Sequence, residues 1–121
     1  MKYLVCVMAV ATALWSQPMR LNDRIKACDQ GDAASCVWLS VAYTGTKEGY
    51  VRGLKIDLKK ALHYAKRACD LGDTDGCYFA GMTLYYGDDW GKIERDKEAG
   101  ERYLKRACAL GKEDVCTYFA K

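Results

Sequence analysis

Three cysteine pairs constrain this chain more than any other feature. "ACDQGDAASC" (Ala27 to Cys36), "ACDLGDTDGC" (Ala68 to Cys77) and "ACALGKEDVC" (Ala107 to Cys116) share one frame: two cysteines eight positions apart, with a glycine three residues after the first. The first cysteines of successive pairs, Cys28, Cys69 and Cys108, are separated by 41 and 39 positions. A period of about 20 to 50 residues is the signature of a solenoid, whose units bury their apolar faces only against their neighbours.

The text around each pair reads as two helices. "DLKKALHYAKRAC" (Asp57 to Cys69) places Leu58, Ala61, Leu62, Ala65, Ala68 and Cys69 on one stripe, with Lys59, Lys60, Lys66 and Arg67 off it, the three-and-four spacing of an amphipathic helix. "DKEAGERYLKRAC" (Asp96 to Cys108) repeats the pattern, and "RLNDRIKAC" (Arg20 to Cys28) is a worn copy. Asp57 and Asp96 stand where a side-chain oxygen caps free amides, and Gly31, Gly72 and Gly111 where a left-handed residue ends a helix. After each second cysteine comes an apolar run: "CVWLSVAYTG", "CYFAGMTLYYG" and the shorter "CTYFAK". Val, Tyr and Trp also favour strands, but the repeat frame and the small residues Ser40, Ala42, Ala80 and Gly81 argue for helices in close contact. The expected fold is all-α, a solenoid of helix hairpins spanning residues 17–121, with units at about 20–46, 57–87 and 96–121 and longer loops at Thr44 to Ile56 and Gly87 to Arg95.

A pair that straddles a helix end, a turn and a helix start brings two sulfurs together across the corner. A metal site is not expected, because zinc pairs usually lie two to four residues apart with further Cys or His nearby. This chain has one histidine, His63, set among lysines and read as a solvated surface residue. No Cys-x-x-Cys string occurs for a redox centre or a c-type haem. Six cysteines allow 15 connectivities, but three copies of one local frame favour Cys28 with Cys36, Cys69 with Cys77, and Cys108 with Cys116. Each would close a loop of about nine residues, worth on the order of 2.5 kcal/mol in the chain-entropy picture.

Composition narrows the setting. With 19 basic and 16 acidic residues interleaved and a net charge of +3, there is no basic stripe of the kind a phosphate backbone needs, so nucleic acid is not an expected partner. "MKYLVCVMAVATALWSQP" has one lysine, an apolar run from Leu4 to Trp15 and a polar break. It reads as a signal peptide over residues 1–16, cleaved between Ala13 and Gln17, since a membrane span needs about 20 apolar residues. Cys6, the seventh cysteine, lies within that run and leaves with it; it stands too early to be a lipid attachment site. Export with six remaining cysteines points to an oxidising compartment, periplasmic or extracellular.

The frame "AC", a short glycine-bearing turn, "GC" or its equivalent, a tyrosine-bearing apolar helix and a helix opening as in "DLKKA" resembles the Sel-one-like repeat. The cysteine placement is similar to that of the Hcp subfamily, the Helicobacter cysteine-rich proteins. The resemblance covers Arg20 to Lys121 and is clearest in "KRACDLGDTDGCYFAGMTLYYG" (Lys66 to Gly87). It implies a right-handed, TPR-like superhelix of disulfide-bridged helix pairs and secretion. It also implies an activity of one of these kinds: slow β-lactamase with penicillin binding, or service as an interaction module or as a secreted factor acting on host cells. The chain departs from the pattern in its longer first loop and in Ser40, which stands where Gly81 stands in the next unit.

The residues favour the interaction module. The Ser-x-x-Lys, Ser-Asp-Asn and Lys-Thr-Gly strings of serine β-lactamases are absent, and neither Ser35 nor Ser40 has a lysine three positions on. No catalytic residue can be assigned and no cofactor is expected; a β-lactam or peptidoglycan-related ligand follows from the resemblance alone. A binding module needs only the extended concave surface that stacked helix pairs provide, for a protein or peptide partner. Trp38, Phe79 and Tyr118 recur two positions after each second cysteine and read as packing residues. Residues that do not recur are the candidate binding surface: Tyr50 and Arg52 in the first loop, Tyr85 and Tyr86 at a helix end, and Trp90 in the second loop. The end of the third unit, with no capping helix in the sequence, reads as a weak point or a docking surface.

Overall fold

The computed structural model describes residues 20–45, 51–88 and 92–119; the expected leader and two candidate residues, Tyr50 and Trp90, lie outside them. Among the described residues the regular elements are all helices: α1 Leu21–Asp29, α2 Ala33–Thr44, α3 Leu58–Asp70, α4 Thr74–Tyr86, α5 Lys97–Ala109 and α6 Glu113–Phe119. Each packs mainly on its neighbours in sequence, so the chain forms three stacked hairpins of a right-handed α/α solenoid. The apolar runs after the second cysteines are α2, α4 and α6, not strands.

One corner is built three times. At the end of α3 the Gly72 amide donates to the Cys69 carbonyl at 2.9 Å and the Asp73 amide to the Ala68 carbonyl at 3.0 Å. These paired bonds form a Schellman ending, which needs a left-handed residue at the glycine; Gly72 has φ of +90°. Gly31 with Asp32 and Gly111 with Lys112 make the same two bonds. The ending sets the first cysteine on the last turn of one helix and the second on the first turn or so of the next. The disulfides Cys28–Cys36, Cys69–Cys77 and Cys108–Cys116 close these corners, with Cα atoms 4.8, 4.4 and 4.9 Å apart.

Capping follows the aspartates. Asp57 accepts from the Lys60 amide at 3.1 Å, Asp73 from Gly76 at 3.0 Å and Asp96 from Ala99 at 3.0 Å, each satisfying an amide with no partner inside its helix. Asp32 instead accepts from the Ser35 hydroxyl at 2.5 Å.

The hairpins are joined at equivalent places. The Asp57 amide donates to the Tyr43 carbonyl at 2.9 Å, and the Asp96 amide to the Leu84 carbonyl at 2.7 Å; each carbonyl stands seven residues after a second cysteine. Between α4 and α5 the backbones approach through two glycines. A Cβ on Gly81 would lie 2.6 Å from Leu104 Cγ, and one on Gly100 would lie 2.6 Å from the Tyr85 nitrogen and 2.8 Å from the Gly81 oxygen. The corresponding residues at the α2–α3 boundary are Ser40 and Ala61, both 1% exposed. Ser40 tolerates burial by donating its hydroxyl to the Val37 carbonyl of its own helix at 2.7 Å.

The core is a chain of small clusters that cross from hairpin to hairpin. One joins Cys28, Cys36, Leu39, Tyr43, Ala61 and Ala68; a second joins Leu62, Ala65, Ala80, Leu84, Ile93 and Ala99. Cys28, Cys36, Cys69 and Cys77 are fully buried, so the sulfurs of the first two staples are part of the core they stabilise.

Candidate functional site

α4 carries Tyr78, Met82 and Tyr86 at four-residue intervals, which places them on one stripe of a helix. Across from it α6 presents Asp114, Val115 and Tyr118, and these six residues line a cavity of about 270 Å³. Val115 is buried at 4% exposure, whereas Tyr86 is 62% and Tyr118 79% exposed, so the cavity has a closed apolar base and open aromatic walls. Its two helices are held in register by the corner below: the Thr74 hydroxyl at the start of α4 donates to the Leu110 carbonyl of the α5–α6 turn at 3.4 Å.

The cavity carries a definite electrostatic character. Tyrosine faces are negative, and Lys112 already places its Nζ 4.7 Å from the centroid of the Tyr78 ring. The Asp114 carboxylate lines the same space, and among the described residues no lysine or arginine forms an ion pair with it. No group of three or more metal-ligating side chains is present among the described residues.

Two other clefts are less suited to recognition. The larger, about 430 Å³, is lined by Ile56, Asp57, Leu58, Lys59 and Lys92, with mixed charge and no aromatic anchor. The other, about 230 Å³, is lined by Asp70, Arg102, Tyr103 and Arg106, but Arg106 is paired with Asp70 at 3.6 Å and Arg102 with Glu98 at 3.6 Å. Burial, and next the charge of Asp70, raise the Tyr103 phenol above its ordinary value of 10.0; Arg102 and Arg106 act in the opposite direction.

Of the residues singled out in the sequence, Tyr86 reaches the cavity. Its neighbour Tyr85 is half-buried, with its ring edge-on to Tyr86 at 4.9 Å and the Lys97 ammonium 5.7 Å from its centroid. Arg52 is exposed in the first loop, away from the cavity lining. Trp38 and Phe79 pack against the core as expected, but Tyr118, in the same register, is exposed. Within the described residues no following hairpin covers it. His63 is exposed on α3, edge-on to Tyr64. The two serines weighed as nucleophiles are both buried, with hydroxyls committed to Asp32 and to the Val37 carbonyl. Tyr78, Met82 and Asp114 were missed. The signal for them was the stripe Tyr78, Met82, Tyr86, whose counterparts in the first unit are Val37, Val41 and Gly45.

Comparison with known proteins agrees with this architecture. The family described as Sel1 repeat matches residues 34–73 and 74–112. Each match begins within or at the start of a second helix and runs through the next hairpin's first helix, so in this frame the staples join one repeat to the next. Helicobacter pylori cysteine rich protein B is similar in structure, with a TM-score of 0.67 and 32% identity over 80% of this chain and 67% of that one. Cytochrome c oxidase assembly factor 7A of Xenopus laevis is 39% identical over 74 residues, covering 61% of this chain. Cytochrome c oxidase assembly factor 7 of Xenopus tropicalis is 38% identical over 74 residues. The chain spans 29% of the length of each of these two curated relatives.

Proposed function

The chain belongs to the Sel1 repeat family, and from that premise we propose that it is an exported scaffold that binds a protein or peptide on the concave face formed by its second helices. The observation that carries this reading is the α4–α6 cavity, a rigid recess with an apolar base and two exposed tyrosines at its rim. Exposed aromatics around a preformed recess are the usual anchors of protein contacts. Three disulfides, two of them fully buried, support maturation in an oxidising compartment outside the cytoplasm. The leader-like segment at residues 1–16 supports export. No helix among the described residues is long and apolar enough to cross a membrane. The curated relatives are named as assembly factors, a role that also involves contact with other proteins.

The test is selection of peptides from a displayed random library on the oxidised chain, followed by rebinding to Tyr86→Ala and Tyr118→Ala variants. The reading expects selected peptides to lose at least about tenfold in affinity on either substitution, as anchor truncations do. Peptides that bind both variants as well as the parent would overturn it. The resemblance to the Helicobacter cysteine-rich proteins keeps slow β-lactam hydrolysis as the alternative. Because Ser35 and Ser40 are sealed in the fold, such an activity would need another nucleophile. Turnover of a chromogenic β-lactam, proportional to protein and lost on reduction, would establish it.

A further inference from the structure

We infer that the α4–α6 cavity is a cation pocket that takes a lysine side chain of the bound partner. The inference rests on the docking role proposed for this face and names the chemistry of its occupant.

Three observations converge on it. First, size limits the guest. At about 270 Å³ the cavity lies at the lower edge of the roughly 300 to 1,000 Å³ typical of sites for drug-sized molecules, and it has room for one long side chain. Second, the walls suit a positive charge on an aliphatic stem. Tyr78, Tyr86 and Tyr118 contribute three rings from two facing helices, with Met82 and Val115 supplying apolar surface for the methylenes. Aromatic rings attract ammonium groups over their faces through the ring quadrupole, as Lys112 already shows at Tyr78. Third, the charge complement is in place. Asp114 lines the cavity and has no ion-pair partner among the described residues; Lys112 already holds its ammonium 4.7 Å from the centroid of the Tyr78 ring, which leaves Tyr86 and Tyr118 as the rings that receive a partner's charge. A partner's glutamate would face the exposed Asp114 carboxylate at close range, and a purely apolar side chain would draw nothing from that charge.

An ammonium entering between Tyr86 and Tyr118 would keep part of its water while meeting Asp114. That geometry favours lysine, whose compact charge sits on a flexible stem. Methylated lysine is also admitted, since its bulkier head keeps the charge and gains contact with the rings.

The experiment is an amide NMR titration of the oxidised chain with four acetylated, amidated tripeptides, Gly-X-Gly, in which X is lysine, trimethyllysine, norleucine or glutamate. The inference expects lysine and trimethyllysine to shift amides of Tyr78, Met82, Tyr86, Asp114, Val115 and Tyr118. It expects them to bind at least about fivefold tighter than norleucine, the scale of a partly exposed cation–π contact with a carboxylate nearby. Tyr86→Leu and Asp114→Asn, both at the cavity rim or first turn and each checked for an unchanged remaining spectrum, should abolish that preference. A preference that survives either substitution overturns the inference. Equal binding of norleucine and lysine on the same amides also overturns it but leaves the docking face standing. Concentration-dependent shifts of these amides without peptide would assign the cavity to a second copy of the chain and overturn it too. If no tripeptide moves these amides and library-selected peptides bypass them, the docking reading falls with the inference.

Discussion

Gly100 shows how a single residue is decided by a helix it does not belong to. An alanine there gains about 1 kcal/mol of helix propensity, yet its Cβ would lie 2.6 Å from the backbone nitrogen of Tyr85. Backbone cannot step aside as a side chain can, and overpacking of this kind costs about 1 to 3 kcal/mol. Gly100→Ala is therefore expected to be destabilising on balance, read as a lower urea midpoint. Gly81 could be read from the sequence as a small residue for close contact, but its partner could not, because "DKEAGERYLKRAC" gives no sign of what presses on its glycine. Tyrosines show the same division. Tyr86 stood out as an aromatic that does not recur, while Tyr78 was hidden in an apolar run and Tyr118 looked like a packing residue because Trp38 and Phe79 share its register. Two phenols yield a pH prediction. Tyr64 and Tyr103 both have values raised above 10.0, chiefly by burial. The neutral ring fits the fold and its anion does not, so their contribution is fully present below about pH 10 and is lost as pH rises through the folded-state values. The melting temperature should fall as the pH rises above about 10, and fall less in Tyr103→Phe. Equal slopes for the two proteins would contradict this.

The stapled corner is the element that the sequence described most completely. Ala-Cys, the glycine three residues on, and the second cysteine correspond one to one with the Schellman bonds, the left-handed glycine and the disulfide. All of this is local chemistry, which a frame repeated three times exposes. What the frame could not show is that the staples differ in accessibility. Cys28, Cys36, Cys69 and Cys77 are fully buried, but Cys108 and Cys116 are only half-buried. Thiol exchange requires access to a sulfur. With limiting reductant under native conditions, Cys108–Cys116 should open first, read by alkylation and peptide mass spectrometry, while the other two open only with unfolding. Opening of Cys69–Cys77 first would contradict the burial argument. Removing one staple by a paired Cys-to-Ser change should cost on the order of 2.5 kcal/mol, a large part of the roughly 5 to 15 kcal/mol that holds a domain of this size.

At the scale of the whole molecule, stacking converts three local hairpins into one surface. The period told that the units stack, and the apolar stripe told which faces meet. Neither told where the second helices of different hairpins leave a recess, because that depends on α4 and α6 being set at a distance by α5 between them. The candidate surface was accordingly legible only in part: Tyr86 belongs to the recess, Arg52 does not, and Tyr50 and Trp90 lie outside the described residues. The function proposed for this surface is that partners dock on the face formed by the second helices. Hydrogen–deuterium exchange of the oxidised chain, with and without a library-selected peptide, tests it most directly. Docking there should slow exchange in α4 and α6 around Tyr86 and Tyr118, with α1, α3 and α5 unchanged. Protection confined to those first helices would contradict it.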